Sequence, residues 1–158
     1  MNTSNELQID RRPKFDSLQQ EAFLELWRSY DCLKAEEDLV FGEFAISSQQ
    51  YNALRLLKAA APDAMAVSAL GQRMITRAPD MTRMLDRLED RNLIARVRRD
   101  DNRRVVEVTL TDAGKTLLQE IAEPIKACHQ RQLGHLPDSQ LKQLIQLLQA
   151  VRRPHEND

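Results

Sequence analysis

The sequence predicts a mainly α-helical protein carrying one small β-hairpin, and three observations lead there. Among 158 residues there are four Gly and six Pro, too few for a sandwich of many short strands or for a disordered chain. Leu, Ala, Gln, Glu and Arg dominate, and such side chains are favourable in helices. Apolar positions mostly recur three or four apart, whereas strict alternation is confined to the stretch around Val106–Leu110.

Residues 1–14 are polar and include Arg11-Arg12-Pro13, which predicts a loose arm. From about Phe15 to Val40, Leu18, Ala22, Leu26, Tyr30 and Leu33 recur mostly four apart, and Phe23, Leu24 and Trp27 widen the stripe. This is a long helix with more apolar surface than a single contact needs. Ser47-x-x-Gln50 is a capping box that opens a helix with Tyr51, Leu54 and Leu57 inward, closed by Ala59-Ala-Ala-Pro62-Asp63. After a short extended piece at Ala66-Val67, Ser68 is placed to cap a helix over Ala69–Ile75. Pro79 suits the first turn of a further helix, about Asp80–Arg91. There Met81, Met84, Leu85 and Leu88 share one face, and Thr82, Arg83, Asp86, Arg87 and Asp90 lie opposite. Asn92 suits the left-handed closing position. Two short helices joined by a tight turn form a helix-turn-helix.

Strands follow at Ile94–Arg98 and Val105–Leu110, joined by the charged tip Arg99-Asp-Asp-Asn-Arg-Arg104, a wing. Thr111 caps a long helix to about Gln132 with Leu117, Leu118, Ile121 and Ile125 as its stripe. Pro137-Asp138 starts a last helix bearing Leu141, Leu144, Ile145, Leu148 and Val151. The expected organisation is therefore a polar arm (1–14), a dimerisation helix (15–45), a winged helix-turn-helix (46–111), C-terminal dimerisation helices (112–153) and a tail (154–158).

The net charge of −1 hides an uneven distribution. Residues 1–72 carry −4, residues 73–104 carry +4 from ten Arg and six acids with no Lys, and residues 105–158 carry −1. Arginine suits phosphates and guanine edges, and a clustered basic footprint is what nucleic-acid binding requires. A helix that fits the major groove beside a basic hairpin that reaches the neighbouring minor groove is a device for reading DNA. The bland alternative is a surface helix laced with Arg–Asp pairs.

Three motifs in this order, Ser48-x-Gln-Tyr51-Asn-x-Leu-Arg-x-Leu57, Arg73-Met-Ile-Thr-Arg-x-Pro-Asp-x-Thr-Arg-x-Leu-Asp-Arg-Leu88, and Asn102-Arg-Arg-Val-Val with Leu110-Thr-x-x-Gly114, give the chain a resemblance to the MarR family of winged-helix transcriptional regulators. It covers roughly Phe15 to Val151. The resemblance implies a homodimer interlocked through outer helices from both chain ends, with two winged helices on the two halves of a palindrome. The chain departs from the family where Asn102 stands in the place of a usual wing Asp and Asn92 in that of a usual Gly.

The candidate DNA-contacting set is Ser68, Arg73, Arg77, Asp80, Met81, Thr82, Arg83, Arg87, Arg99, Asn102, Arg103 and Arg104. Thr82 and Arg83 are placed to meet base edges and Arg77 a phosphate. Asp80 caps its helix or accepts from cytosine, with capping the commoner fate. Arg103 and Arg104 compete for the minor groove. The resemblance, together with the aromatic residues, points to a small aromatic or anionic effector near Trp27, Tyr51 and Arg55. Cys32 and Cys128 match no metal or redox spacing and are expected to be small packing residues, the alternative implied by the resemblance being an oxidant-sensing thiol at Cys32 on the first helix, and His129 is expected to be a surface or interface residue. No constellation supports catalysis or a cofactor, no apolar run reaches the roughly 20 residues of a membrane span, and a cytoplasmic location is expected. The expected partners are duplex DNA, a second copy of the chain and the effector. A winged helix that binds proteins without specific DNA binding is the alternative.

Overall fold

A computed structural model describes residues 15–76 and 78–156. The expected arm, Arg77 and the last two residues of the tail lie outside the described residues. The chain divides into two compact units, Met1–Lys34 and Ala35–Asp158.

Helix α1 spans Leu18–Glu43. It begins three residues later than its periodicity suggests because Ser17 Oγ accepts the backbone N–H of Gln20 at 3.1 Å, satisfying an orphan donor of the first turn. Within the first unit Leu18, Phe23, Leu26, Trp27 and Tyr30 all stand exposed, and Trp27 meets Phe23 edge-on with ring centroids 6.2 Å apart. Cys32 is exposed, which corrects the expectation of a buried packing residue. It falls four residues after Arg28, on the helix face of the Glu25–Arg28 ion pair rather than on the apolar stripe.

The second unit holds the core. The end of α1 is closed by hydrogen bonds from Ala45 N to Gly42 O at 3.0 Å and from Ile46 N to Phe41 O at 3.1 Å, a Schellman motif in which Ala45 takes the left-handed position with φ 52°. The capping box then forms as expected. Ser47 Oγ accepts from Gln50 N at 3.2 Å and Ser47 N donates to Gln50 Oε1 at 2.9 Å, opening α2 (Ser48–Ala60). Strand β1 is Met65–Ala66 and α3 is Val67–Arg73. Here the expectation fails by two residues: Ala66 holds the cap position and no side chain bonds there, so Ser68 lies inside the first turn. Joining a sheet at Met65 and Ala66 starts the helix earlier than local capping chemistry would. Helix α4 is Met81–Asp90. Pro79 precedes it instead of entering its first turn, because Asp80 caps it, accepting the Arg83 N–H at 2.9 Å. Asn92 ends α4 with φ 55°, the left-handed role assigned to it.

Strands β2 (Ile94–Arg98) and β3 (Val106–Leu110) form the expected hairpin. The short piece before α3 adds a third strand: the sheet order is β1-β3-β2, all antiparallel, with Met65 opposite Val108 and Arg98 opposite Val106. Thr111 Oγ1 accepts Gly114 N at 3.0 Å to open α5 (Asp112–Leu133). Gly114 is required there. A Cβ would collide with the Leu93 carbonyl oxygen and come within 2.6 Å of Leu110 Cδ1.

Leu54, Leu57, Leu70, Leu85, Leu88, Ile94, Val108 and Ile121 are fully buried together, so α2, α3, α4, the sheet and α5 share one core. Cys128 is buried on α5, and burial pushes its thiol pKa up. His129 Nε2 lies 2.7 Å from Glu37 Oε1, tying α5 to the end of α1. Helix α6 (Asp138–Arg152) has no buried residue, and Leu144, Ile145, Leu147 and Val151 are exposed along it.

Candidate nucleic-acid interface

Packing alone turns α4 outward on the correct side. Met84, Leu85 and Leu88 are buried, Met81 is half-buried against the core, and the helical period leaves Thr82, Arg83 and Arg87 exposed on the opposite face. Three polar ties hold the segment. Ahead of it, Asn52 Oδ1 on α2 accepts the Ile75 N–H at 2.9 Å. Behind it, Arg91 donates to the carbonyls of Ala45 at 2.7 Å and Phe44 at 3.1 Å. Helix α1 has no basic residue in its last turn, so Arg91 brings the cation that its negative C-terminal end lacks. Beneath it, Arg96 of β2 donates from Nε to Glu89 Oε2 at 2.9 Å and from a terminal nitrogen to Asp86 Oδ1 at 2.6 Å. Those hydrogen bonds hold the Glu89 carboxyl below its ordinary range and the Arg96 guanidinium above its own. They also neutralise two acids that would otherwise oppose a polyanion.

At the wing the charges sort into two classes. Arg99 grips Asp101 through Nε at 2.9 Å and a terminal nitrogen at 2.7 Å, with Glu107 at 3.8 Å; the pairing lowers the Asp101 pKa. Asn102 Oδ1 accepts the backbone N–H of Arg104 at 3.1 Å, an Asx turn that shapes the tip rather than orienting a guanidinium. The side chains of Arg103 and Arg104 are exposed and have no partner among the described residues, as is true of Arg73, Arg83, Arg87 and Arg98.

Two hollows flank α4. One, of about 230 Å³, is bounded by Ser47, Gln49, Pro79, Asp80, Arg83 and Arg87. The other, of about 430 Å³, is bounded by Ser68, Thr82, Leu85, Arg96, Arg98 and Arg104. The structure thus brings Ser68, Thr82 and Arg104 together on one flank and Asp80, Arg83 and Arg87 on the other. It commits Asp80 to a cap, Met81 to packing and Arg99 to an ion pair. Arg98, exposed beside the second hollow, was not among the residues expected to meet DNA, although period-two alternation along β2 puts it on the face of Arg96. Sequence reasoning missed the structural duties of Arg91 and Arg96, for which there was no signal.

The suggested effector residues are brought together only in part. Arg55 donates to the Tyr51 hydroxyl at 3.1 Å and lies 5.9 Å from its ring centroid, and Tyr51 packs on Phe41 with centroids 4.7 Å apart. Neither hollow is lined by them. Trp27 belongs to the other unit. Among the described residues no helix is long and apolar enough to cross a membrane.

Residues 46–106, from the end of α1 to the second wing strand, match the model of the MarR family. The HTH-type transcriptional repressor MdtR of Bacillus subtilis is 34% identical over 92 residues, covering 58% of this chain and 59% of that repressor. The chain thus matches little more than half the length of this curated relative. A MarR transcription factor from Planctomyces limnophilus is 52% identical over 87% of this chain and 99% of its own, with a TM-score of 0.69. Two more distant structures share the fold. Sco3205 of Streptomyces coelicolor, solved with DNA, is 18% identical over 94% of this chain and 95% of its own at a TM-score of 0.80. BpsR of Bordetella bronchiseptica, studied for regulation of its DNA binding by 6-hydroxynicotinic acid, is 22% identical over 93% and 100% at 0.74. With the hairpin, the outward-facing α4 and 52% identity over 87% of its length to a MarR transcription factor matched almost end to end, the chain belongs to the MarR family of DNA-binding transcriptional regulators.

Proposed function

We propose that this regulator is a repressor that binds an inverted-repeat operator as a homodimer and is released by a small aromatic or anionic effector. One observation carries the DNA-contact part: six arginines without side-chain partners among the described residues, Arg73, Arg83, Arg87, Arg98, Arg103 and Arg104, stand on the exposed side of the helix-turn-helix and along the wing. In this reading Thr82 and Arg83 meet base edges, Arg73, Arg77 and Arg87 meet phosphates, and Arg103 or Arg104 enters the minor groove. The dimer is supported by the apolar side chains exposed on α1 and α6, too much surface for a monomer to leave in water. The repressor role is supported by the relative MdtR, and the effector by BpsR, whose DNA binding is regulated by a small aromatic compound.

Footprinting with sedimentation tests this reading. The expected result is a dimer protecting an inverted repeat whose half-sites are centred about 10 base pairs apart, one helical turn. A monomer on one asymmetric site, or binding to proteins but not to duplex DNA, would overturn it.

A further inference from the structure

The hollow between α4 and the wing has a chemistry that the rest of the DNA-facing surface lacks. Side chains alternate along a strand, so Ile94, Arg96 and Arg98 share one face of β2, and Arg98 pairs with Val106 across the hairpin. Of the three arginines around the hollow, Arg96 is committed to Glu89 and Asp86. The side chains of Arg98 and Arg104 have no partner among the described residues, and Ser68 and Thr82 also border the hollow. Among the described residues no carboxylate bounds the hollow. The residue just past the end of β2 has the opposite fate: Arg99 is held by Asp101 and Glu107.

A protein with one element in the major groove and another in the adjacent minor groove must straddle the backbone strand between them. That strand bears a negative charge every 3.4 Å or so. A guanidinium fork matches phosphate geometry. A space of about 430 Å³ also admits the group with water around it, since a water takes up roughly 30 Å³ of liquid.

We infer that this hollow is a phosphate site that takes one phosphodiester of the strand separating the two grooves, gripped by Arg98 and Arg104 beside Ser68, so that Arg103 is the wing arginine that enters the minor groove and Thr82 stays with the bases, and that Arg99 braces the wing without touching DNA. The inference rests on the groove placement proposed above. A free phosphate ion offers the same chemistry, so the test must separate the two sources.

The test is salt titration of binding to operator and to random duplex, comparing the intact protein with Arg98→Gln and with the double variant Arg99→Gln, Asp101→Asn, which removes the ion pair without changing net charge. Arg98→Gln should lose about tenfold in affinity on both duplexes and lower the salt slope by about 1. The double variant should stay within about twofold with its slope unchanged. Replacing single backbone phosphates by neutral methylphosphonate should reveal one position at which Arg98→Gln no longer matters. An unchanged slope for Arg98→Gln, or an equal loss in the double variant, would sink the site alone. If inorganic phosphate displaced DNA better than chloride of equal ionic strength, and only when Arg98 was present, the site would belong to a free anion instead. No salt-dependent duplex binding by the intact protein would remove both the groove placement and this site.

Discussion

Nine of the ten arginines between positions 73 and 104 are described, and their neighbours divide them. Arg91, Arg96 and Arg99 are bound within the protein, whereas six have no side-chain partner among the described residues. Arg83 is exposed beside the cap of α4, and in the proposed reading it meets base edges together with Thr82. Arg83→Ala should cost about 1–3 kcal/mol on the operator and relax preference at one base pair if its contact is bidentate. Arg103→Ala should weaken operator and random DNA alike. Equal losses on both duplexes for Arg83→Ala would demote it to a phosphate contact. The Arg96–Glu89 pair predicts a pH dependence. Arg96 holds the Glu89 pKa below its unfolded value, so the pair's stabilisation is present above the ordinary glutamate range and disappears as pH falls through the lowered folded value. The pair is partly exposed, which limits its worth to about 1 kcal/mol. Thermal unfolding should therefore separate Glu89→Gln from the parent by a few degrees at pH 7 and bring the two together well below about pH 4.

Among the elements, α6 contributes least to the fold of its own chain, since none of its residues is buried. Leu144, Ile145, Leu147 and Val151 are each more than a third exposed. Burying each large apolar side chain gains roughly 1.5–3 kcal/mol, so a partner that covers this row would be held firmly. Deleting residues 137–158 should abolish dimerisation, and operator binding with it, while leaving the helical signal of the remaining chain largely intact. A truncated chain that sedimented as a dimer and held its operator normally would move the interface elsewhere. The ends of α1 and α4 illustrate how elements are joined. Both close in Schellman motifs with a non-glycine residue at positive φ, Ala45 and Asn92, and Arg91 joins one end to the other. An alanine in that conformation carries a steric penalty of about 1–2 kcal/mol, which the two hydrogen bonds from Arg91 help to offset.

For the molecule as a whole, a net charge of −1 conceals a basic block that the ion pairs refine further. Control should follow from a ligand's differential affinity for DNA-bound and DNA-free forms, a coupling of typically 1–3 kcal/mol. Oxidation is the competing switch. Cys128 is buried with its thiol pKa pushed up, which suppresses the reactive thiolate. Cys32 is exposed and so carries the burden of any thiol response. Operator release should occur with members of a panel of aromatic acids and should be the same for the intact protein and for Cys32→Ser, Cys128→Ser after peroxide. Release by peroxide that the double variant resists, with no response to any ligand, would identify the thiol as the switch.

Much of the fold was legible locally. The Ser47 box, the Asp80 and Thr111 caps, the left-handed Asn92, the outward face of α4 and the hairpin all follow from interactions within a few residues, which is the range over which propensity and periodicity operate. Tertiary structure decided what depends on distant partners. Met65 and Ala66 became a third strand because β3 lay beside them, which also drew Ser68 from the cap into the helix. Arg96 became a strut because α4 presents Asp86 and Glu89 above β2. Arg98 and Arg99, identical and adjacent in sequence, were separated by the pleat, one to a hollow bordered by Ser68 and Thr82 and the other to two carboxylates. Composition placed positive charge in this block, but only the geometry of pairing determined which of those charges remain available to a phosphate.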